Sequence, residues 1–247
     1  MTSEPPDAPE SDRTSAVDPL REDYRSSITE SRTQLQRLHR DNIALLSIDL
    51  QYLDAAPGLG VFGEDRPYVP PKSSQEYYFE RLRTTVLPNV ARLQQAFRQH
   101  GAEVIHTRIQ SLTPDGRDRS PGHKRLGLHA APGSKEAEFL PEVAPLAHEI
   151  VVNKTASGVF TSTNLEYVLR NLGIIGLFVT GVYTNECVSS AVRSACDLGF
   201  HVTLVQDATT TVTPDLQASS IRVLRDRYAR IMRTDAVVRE LARICVA

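Results

Sequence analysis

At 247 residues, with 40% hydrophobic and 23% charged side chains, the chain suffices for one large α/β domain or two small ones, with no need of disulfides or a structural metal. A formal net charge of -2 argues against nucleic acid or an anionic membrane surface as partner, and no apolar run reaches the roughly 18 residues of a membrane span. Three widely spaced cysteines suit a reducing cytoplasm, and the opening MTSEPPDAPESDR lacks the apolar core of a secretory signal.

Residues 1–19 are rich in Pro, Ser, Glu and Asp, which predicts a disordered tail. In residues 20–40, Leu20, Tyr24, Ile28, Leu35 and Leu38 recur at near-helical spacing and predict an added surface helix before a main domain over 41–247. The run NIALLSID (42–49) is apolar on both faces, as a buried parallel strand requires, and ends on Asp49. A Gly- and Pro-rich loop follows to residue 73. A helix over 75–100 places Leu82, Val86, Val90, Leu93 and Phe97 on one face and stops at Gly101.

AEVIHTRI (102–109) reads as a second strand. The polar stretch 110–146 is too long for an ordinary connection and predicts a functional loop or lid. HEIVVN (148–153) is a third strand with Lys154 directly after it. A helix through Leu165, Val168, Leu169 and Leu172 ends at Gly173. Residues 177–206 repeat the pattern of strand, turn, helix and strand, with Cys187 near the start of that helix. A helix at 216–225, a short strand at 229–232 and a helix at 236–244 complete the chain. Such alternation means one parallel sheet covered by helices on both faces.

Three side chains stand out. Asp49 and Lys154 each close a strand, and in open α/β sheets ligands bind outside the carboxyl ends of the strands. Asp49 alone could be a base, a metal ligand or a helix cap. Lys154 alone could be a surface charge. Cys187 lies where unsatisfied amides and the helix dipole favour a thiolate, the nucleophilic form, whereas Cys196 and Cys245 have no such setting and read as packing residues. Gly58-Leu59-Gly60-Val61-Phe62-Gly63 matches G-x-G-x-x-G by letter, but it neither leaves a strand at once nor opens a helix, so it predicts a loop over the pocket rather than a dinucleotide site. None of the seven histidines pairs at metal-ligand spacing. The basic run Arg117, Arg119, His123, Lys124 and Arg125 reads as a solvated loop face or as a substrate lid supplying positive charge.

Taken together, ALLSIDLQ with Asp49, VVNKTASGVF with Lys154 and TGVYTNECVSSAVRSACDLGFHVTLVQDATTT with Cys187 resemble the isochorismatase-like cysteine hydrolase family, over about residues 41–247. The resemblance implies a three-layer α/β/α, Rossmann-like domain with a six-stranded, mainly parallel sheet ordered 3-2-1-4-5-6. It implies Asp49 as base, Lys154 as the residue that orients it and stabilises negative charge, and Cys187 as the nucleophile that forms a thioester. It further implies a cis peptide at Val182–Tyr183 and an oxyanion hole of the Tyr183 and Cys187 amides.

Isochorismatases proper lack the cysteine, and nicotinamidases carry a metal site that Gln51 and the histidine-free loop after it break. The expectation is therefore the metal-free, cofactor-free branch, which hydrolyses the C–N bond of small amides or ureides of the ureidoacrylate, N-carbamoyl amino acid, biuret or triuret type. Substrate contacts expected near the strand ends are Gln51, His106, Arg108, Ser157, Phe160, Tyr183 and Asn185. The expected partners are a small amide or ureide, water and further copies of the chain in a dimer or tetramer. A binding or regulatory protein on the same scaffold and a nicotinamidase-like amidase are the alternatives; a thiol redox enzyme lacks a Cys-x-x-Cys pair.

Overall fold

Strand β1 (Ile43–Ile48) is buried along its whole length and alternates between two cores. Ile43 and Leu45 face one side of the sheet, and Ala44, Leu46 and Ile48 face the other. In this computed structural model, residues 38–245 apart from 65, 67 and 68 are described. The expectations for residues 1–37, tail and most of the added helix, lie outside the described residues. Leu38 is buried against the core and Arg40–Asn42 form a single 3₁₀ turn leading into β1.

The remaining strands are β2 (Glu103–Ile109), β3 (Ile150–Lys154), β4 (Gly176–Val182), β5 (His201–Thr210) and β6 (Arg230–Met232). All pair in parallel, in the order β3-β2-β1-β4-β5-β6. The expected order is borne out, and the sheet is wholly rather than mainly parallel. The order reverses between β1 and β4, so the carboxyl ends of these neighbours border the crevice where doubly wound sheets hold ligands.

One face of the sheet is covered by the long helix α1 and the last helix, the other by three shorter helices. Helix α1 runs through Lys72–Arg81, a wider π-helical turn at Leu82–Val86 and Leu87–Gln99. The wider turn has a cause. Pro88 has no N–H and its ring crowds the preceding turn; here Leu87 donates to Leu82, five residues back, and the helix continues through the proline. The face predicted for this helix, Leu82, Val86, Val90, Leu93 and Phe97, is buried in the first core. Each such side chain contributes roughly 1.5–3 kcal/mol by leaving water.

On the opposite face lie α2 (Leu165–Asn171), α3 (Ser189–Asp197) and α4 (Pro214–Leu224), burying Leu165, Leu169, Val192 and Leu224. Helix α5 (Thr234–Ile244) returns to the first face through Val237 and Leu241. Among the described residues no helix is long and apolar enough to cross a membrane.

β5 runs to Thr210, four residues past the predicted end, and Lys154 is the last residue of β3 rather than the first of the loop.

Candidate active site

The chain turns sharply where β1 ends. Asp49 adopts a left-handed backbone (φ 54°), a region that aspartate tolerates better than most residues. Its N–H bonds the Thr107 carbonyl at 3.0 Å. The turn lifts its carboxylate over the sheet edge. Beside it, Gly181 (φ 108°) near the end of β4 lies so close to β1 that a Cβ would sit 2.0 Å from the Ile48 carbonyl oxygen. Only glycine fits there, and this close approach brings the end of β4 and the turn after it alongside Asp49.

The next peptide, Val182–Tyr183, is cis, as the resemblance implied. A π-helical turn, Thr184–Val188, then carries Cys187. The amides of Glu186 and Val188, on either side of the cysteine, both donate to the Tyr183 carbonyl.

These turns bring the three expected side chains into contact. Lys154 Nζ lies 2.8 Å from Asp49 Oδ2 and 3.3 Å from Cys187 Sγ, and donates to the Ala156 carbonyl at 3.0 Å. Asp49 Oδ1 accepts from Thr107 Oγ1 at 3.1 Å. Asp49 and Lys154 are fully enclosed.

Burial disfavours the Lys154 ammonium, but its neighbours, the Asp49 carboxylate foremost, outweigh it and hold the pKa above the ordinary lysine value. The thiol departs from expectation. Burial pushes Cys187 well above the ordinary cysteine range, and Asp49 adds to this, while Lys154 opposes it only in part. Burial thus favours the thiol over the thiolate, with a carboxylate nearby. Placement near a helix start does not ionise it, because desolvation of the anion exceeds the help from the turn's amides.

Cys187 lies at the floor of a cavity of about 430 Å³. Every one of the first five strands contributes to its lining. Asp54 and Val61 come from beyond β1, Ile109 ends β2, Ser157 follows β3, Tyr183 and Glu186 follow β4, and Thr211 and Val212 follow β5. The roof comes from the 110–146 segment through His123, Arg125, Leu126 and Leu128.

Ser120 ties that roof to β3, its N–H bonding the Thr155 carbonyl at 2.9 Å. Arg66 joins the first loop to the roof, donating to the carbonyls of Gly60 and Gly127. The glycine-rich loop thus lies over the pocket through Val61, as expected of it. The basic run divides: Arg117 pairs with Asp115, Arg119 bonds the Gly116 and Leu128 carbonyls, and His123 and Arg125 line the cavity.

The expected substrate contacts separate. Ser157 and Tyr183 line the cavity. Gln51 does not: its amide donates to the carbonyls of Ile109 and Glu136 and accepts from the Ile109 N–H, so its hydrogen-bonding capacity ties β1, β2 and the lid together. His106 is buried against Glu149, at 3.0 Å, and Arg98 holds the same carboxylate. Arg108 bonds Asn153 and the Ala137 carbonyl. Phe160 packs towards Phe200. Asn185 accepts a hydrogen bond from Thr211 Oγ1.

His106 and Arg108 are two residues apart on β2 and so share one side of it, opposite Thr107, which meets Asp49. Asp54, Glu186 and Thr211 of the cavity escaped sequence reasoning, and His123 entered it only as part of the basic run. Asp54 had a signal, an acid inside the otherwise apolar run YLDAA.

Comparison with known proteins agrees with this arrangement. N-carbamoylsarcosine amidase from Arthrobacter sp. is 28% identical over 165 residues, which is 64% of this chain but only 61% of that enzyme. Ureidoacrylate amidohydrolase RutB from Variovorax paradoxus is 26% identical over 213 residues, 83% of each chain. A cysteine hydrolase from Pseudomonas syringae pv. phaseolicola shares the fold, with a TM-score of 0.68 at 22% identity over 84% of this chain and 95% of its own. An isochorismatase family protein from Burkholderia thailandensis superposes with a TM-score of 0.64 at 26% identity, over 82% and 96% of the two chains. The Isochorismatase domain family matches residues 75–236, more than half of the chain, taking in Lys154 and Cys187 while Asp49 lies just outside. The chain belongs to the isochorismatase family of hydrolases.

Proposed function

We propose that the protein is a cysteine amidohydrolase that cleaves a C–N bond of a small amide or ureide through a thioester on Cys187. The observation that carries this reading is the Lys154 ammonium set between the Asp49 carboxylate at 2.8 Å and the Cys187 thiol at 3.3 Å, with Cys187 lining the pocket. The names of the amidase relatives support C–N bonds as the target.

In this reading Asp49 takes the thiol proton as Cys187 Sγ attacks the substrate carbonyl carbon. Lys154 stabilises the sulfur's developing charge and keeps a counter-charge beside the carboxylate. The backbone N–H groups of Tyr183 and Cys187 receive the oxyanion. The C–N bond breaks as Asp49 returns its proton to the leaving nitrogen. Asp49 then takes a proton from water, which attacks the thioester and releases the acid and the free thiol. Division into two acyl transfers replaces one difficult step with two easier ones, and a positioned base adds typically about 10²–10⁴-fold.

The test is an ammonia-release screen over small amides and ureides. Activity in the wild type and its loss by roughly 10³-fold or more in Cys187→Ser is the expected result. An acyl adduct on Cys187 in intact-mass measurements identifies the intermediate. A Cys187→Ser protein that turns over as fast as the wild type refutes the mechanism.

A further inference from the structure

The pocket is lined by two buried polar side chains that the reaction above does not use. Asp54 and His123 are each 2% exposed and both line the cavity with Cys187. Asp54 Oδ2 and both ring nitrogens of His123 are buried with no hydrogen-bond partner among the described residues. A buried polar atom left unmade costs about 1–3 kcal/mol, so three of them around one cavity indicate that a ligand supplies the partners.

Both residues are held in place. The Asp54 carbonyl accepts from Tyr78 Oη at 2.7 Å and Tyr183 Oη at 2.9 Å. His123 is fixed at the first turn of the short helix Pro121–Arg125, where Ser120 Oγ accepts from its N–H.

We propose, building on the amidohydrolase reading, that Asp54 and His123 select the substrate by binding an uncharged amide- or urea-like group adjacent to the scissile bond, and reject a carboxylate in the same position. The chemistry of the two groups supports this. Burial, with the charge of Asp49, raises the Asp54 carboxyl well above the ordinary range, although Lys154 opposes it. Burial, with Lys154, lowers His123 to about 4 against a smaller opposing effect of Asp49. His123 is then uncharged at neutral pH, and the uncharged carboxyl of Asp54 is favoured relative to an exposed one. A neutral carboxyl offers one O–H donor and a carbonyl acceptor; a neutral imidazole offers one N–H donor and one acceptor. Together they complement the N–H and C=O of an amide. A carboxylate has no N–H to give the acceptors and would lie near the charge of Asp49. The rim adds no net preference, since Glu186 and Arg125 carry opposite charges there.

The experiment uses diamides and their half-acids (malonamide, succinamide and glutaramide, each against its mono-acid), which share a scissile amide and differ only at the far end. Binding to the full-length Cys187→Ala protein is measured by calorimetry, and ammonia release by the wild type in parallel. At least one diamide is expected to bind 10-fold or more tighter than its half-acid. That preference is expected to fall at least 10-fold in Cys187→Ala proteins that also carry Asp54→Leu or His123→Phe, and less in one carrying Asp54→Asn, which keeps a donor and an acceptor. Equal or tighter binding of the half-acids, no binding of either series, or a preference that survives both substitutions overturns the proposal. Selective binding without ammonia release by the wild type instead refutes the hydrolase reading and leaves the selectivity standing.

Discussion

Lys154 and Asp49 form an ion pair of 2.8 Å in which neither side chain is more than 1% exposed. Two charges so enclosed are costly to bury and are stable only as a pair. On the proposed reading that relationship makes the site both an activity and a stability determinant, and the two are expected to be separable by mutation.

Asp49→Asn or Lys154→Met alone leaves one buried charge uncompensated, and each is expected to lower unfolding stability by about 3–5 kcal/mol. The double variant Asp49→Leu with Lys154→Met removes both charges and is expected to recover most of that loss while remaining inactive. Denaturant unfolding of the three proteins beside an ammonia assay tests this. A double variant as unstable as the sum of the singles refutes it.

Thr107 donates to Asp49 Oδ1 across the β1–β2 pair and is itself fully buried. Thr107→Val keeps the shape and removes the donor. The expected result is a kcat about 10-fold lower with KM little changed, because the base is less well aimed while the pocket is intact, together with a loss of roughly 1 kcal/mol in stability. An unaltered kcat shows that Lys154 suffices to orient the carboxylate.

The pH dependence of stability is set in part by His123 and Asp54 in the pocket lining. The folded-state pKa of His123 is depressed to about 4 from the ordinary value of 6.5, chiefly by burial. Its contribution is full above pH 6.5 and disappears as pH falls from there towards 4. Asp54 has the opposite sign: its raised pKa favours the folded state at acid pH, and that advantage is lost as pH rises past the ordinary carboxylate value of about 4. His123→Asn is therefore expected to flatten the loss of stability between pH 6.5 and about 4, and Asp54→Asn to steepen it. Denaturation midpoints across that range, compared with the wild type, decide the matter.

Gly181 is the most constrained backbone position at the site. Its φ of 108° and the 2.0 Å approach to the Ile48 carbonyl leave no room for a methyl group. Gly181→Ala is expected to cost about 4 kcal/mol or more, or to prevent folding, because β1 and β4 must separate at the centre of the sheet. A variant with native stability contradicts this account of how β4 is held against Asp49.

Much of this protein was legible from its residues. The apolar runs ending in Asp49 and Lys154, and the one carrying Gly181 and Cys187, have the length and patterning of buried parallel strands and of nothing else. Strand order and the convergence of the trio were implied by the resemblance that the motifs within those runs carry to the isochorismatase-like hydrolases. Boundaries were less legible: β5 continues beyond Gln206 because Thr209 and Thr210 still pair with Gly181 and Val182 after an irregularity in register, which periodicity does not record.

The charge state of Cys187 and the membership of the pocket were decided by tertiary structure alone. A cysteine near a helix start reads as activated, but ionisation depends on how much water the fold removes, and the burial that encloses Cys187 raises its thiol. Likewise Gln51, His106 and Arg108 stand close in sequence to strand ends, yet their side chains are used in joining the lid and neighbouring elements to the sheet. Asp54 and His123, on short helical turns widely separated in the chain, meet at one cavity. Local patterning determines which segments are buried, since that is a property of a residue and its near neighbours. Which polar atoms are left facing a cavity depends on the packing of segments far apart in the chain, and only the folded molecule specifies that.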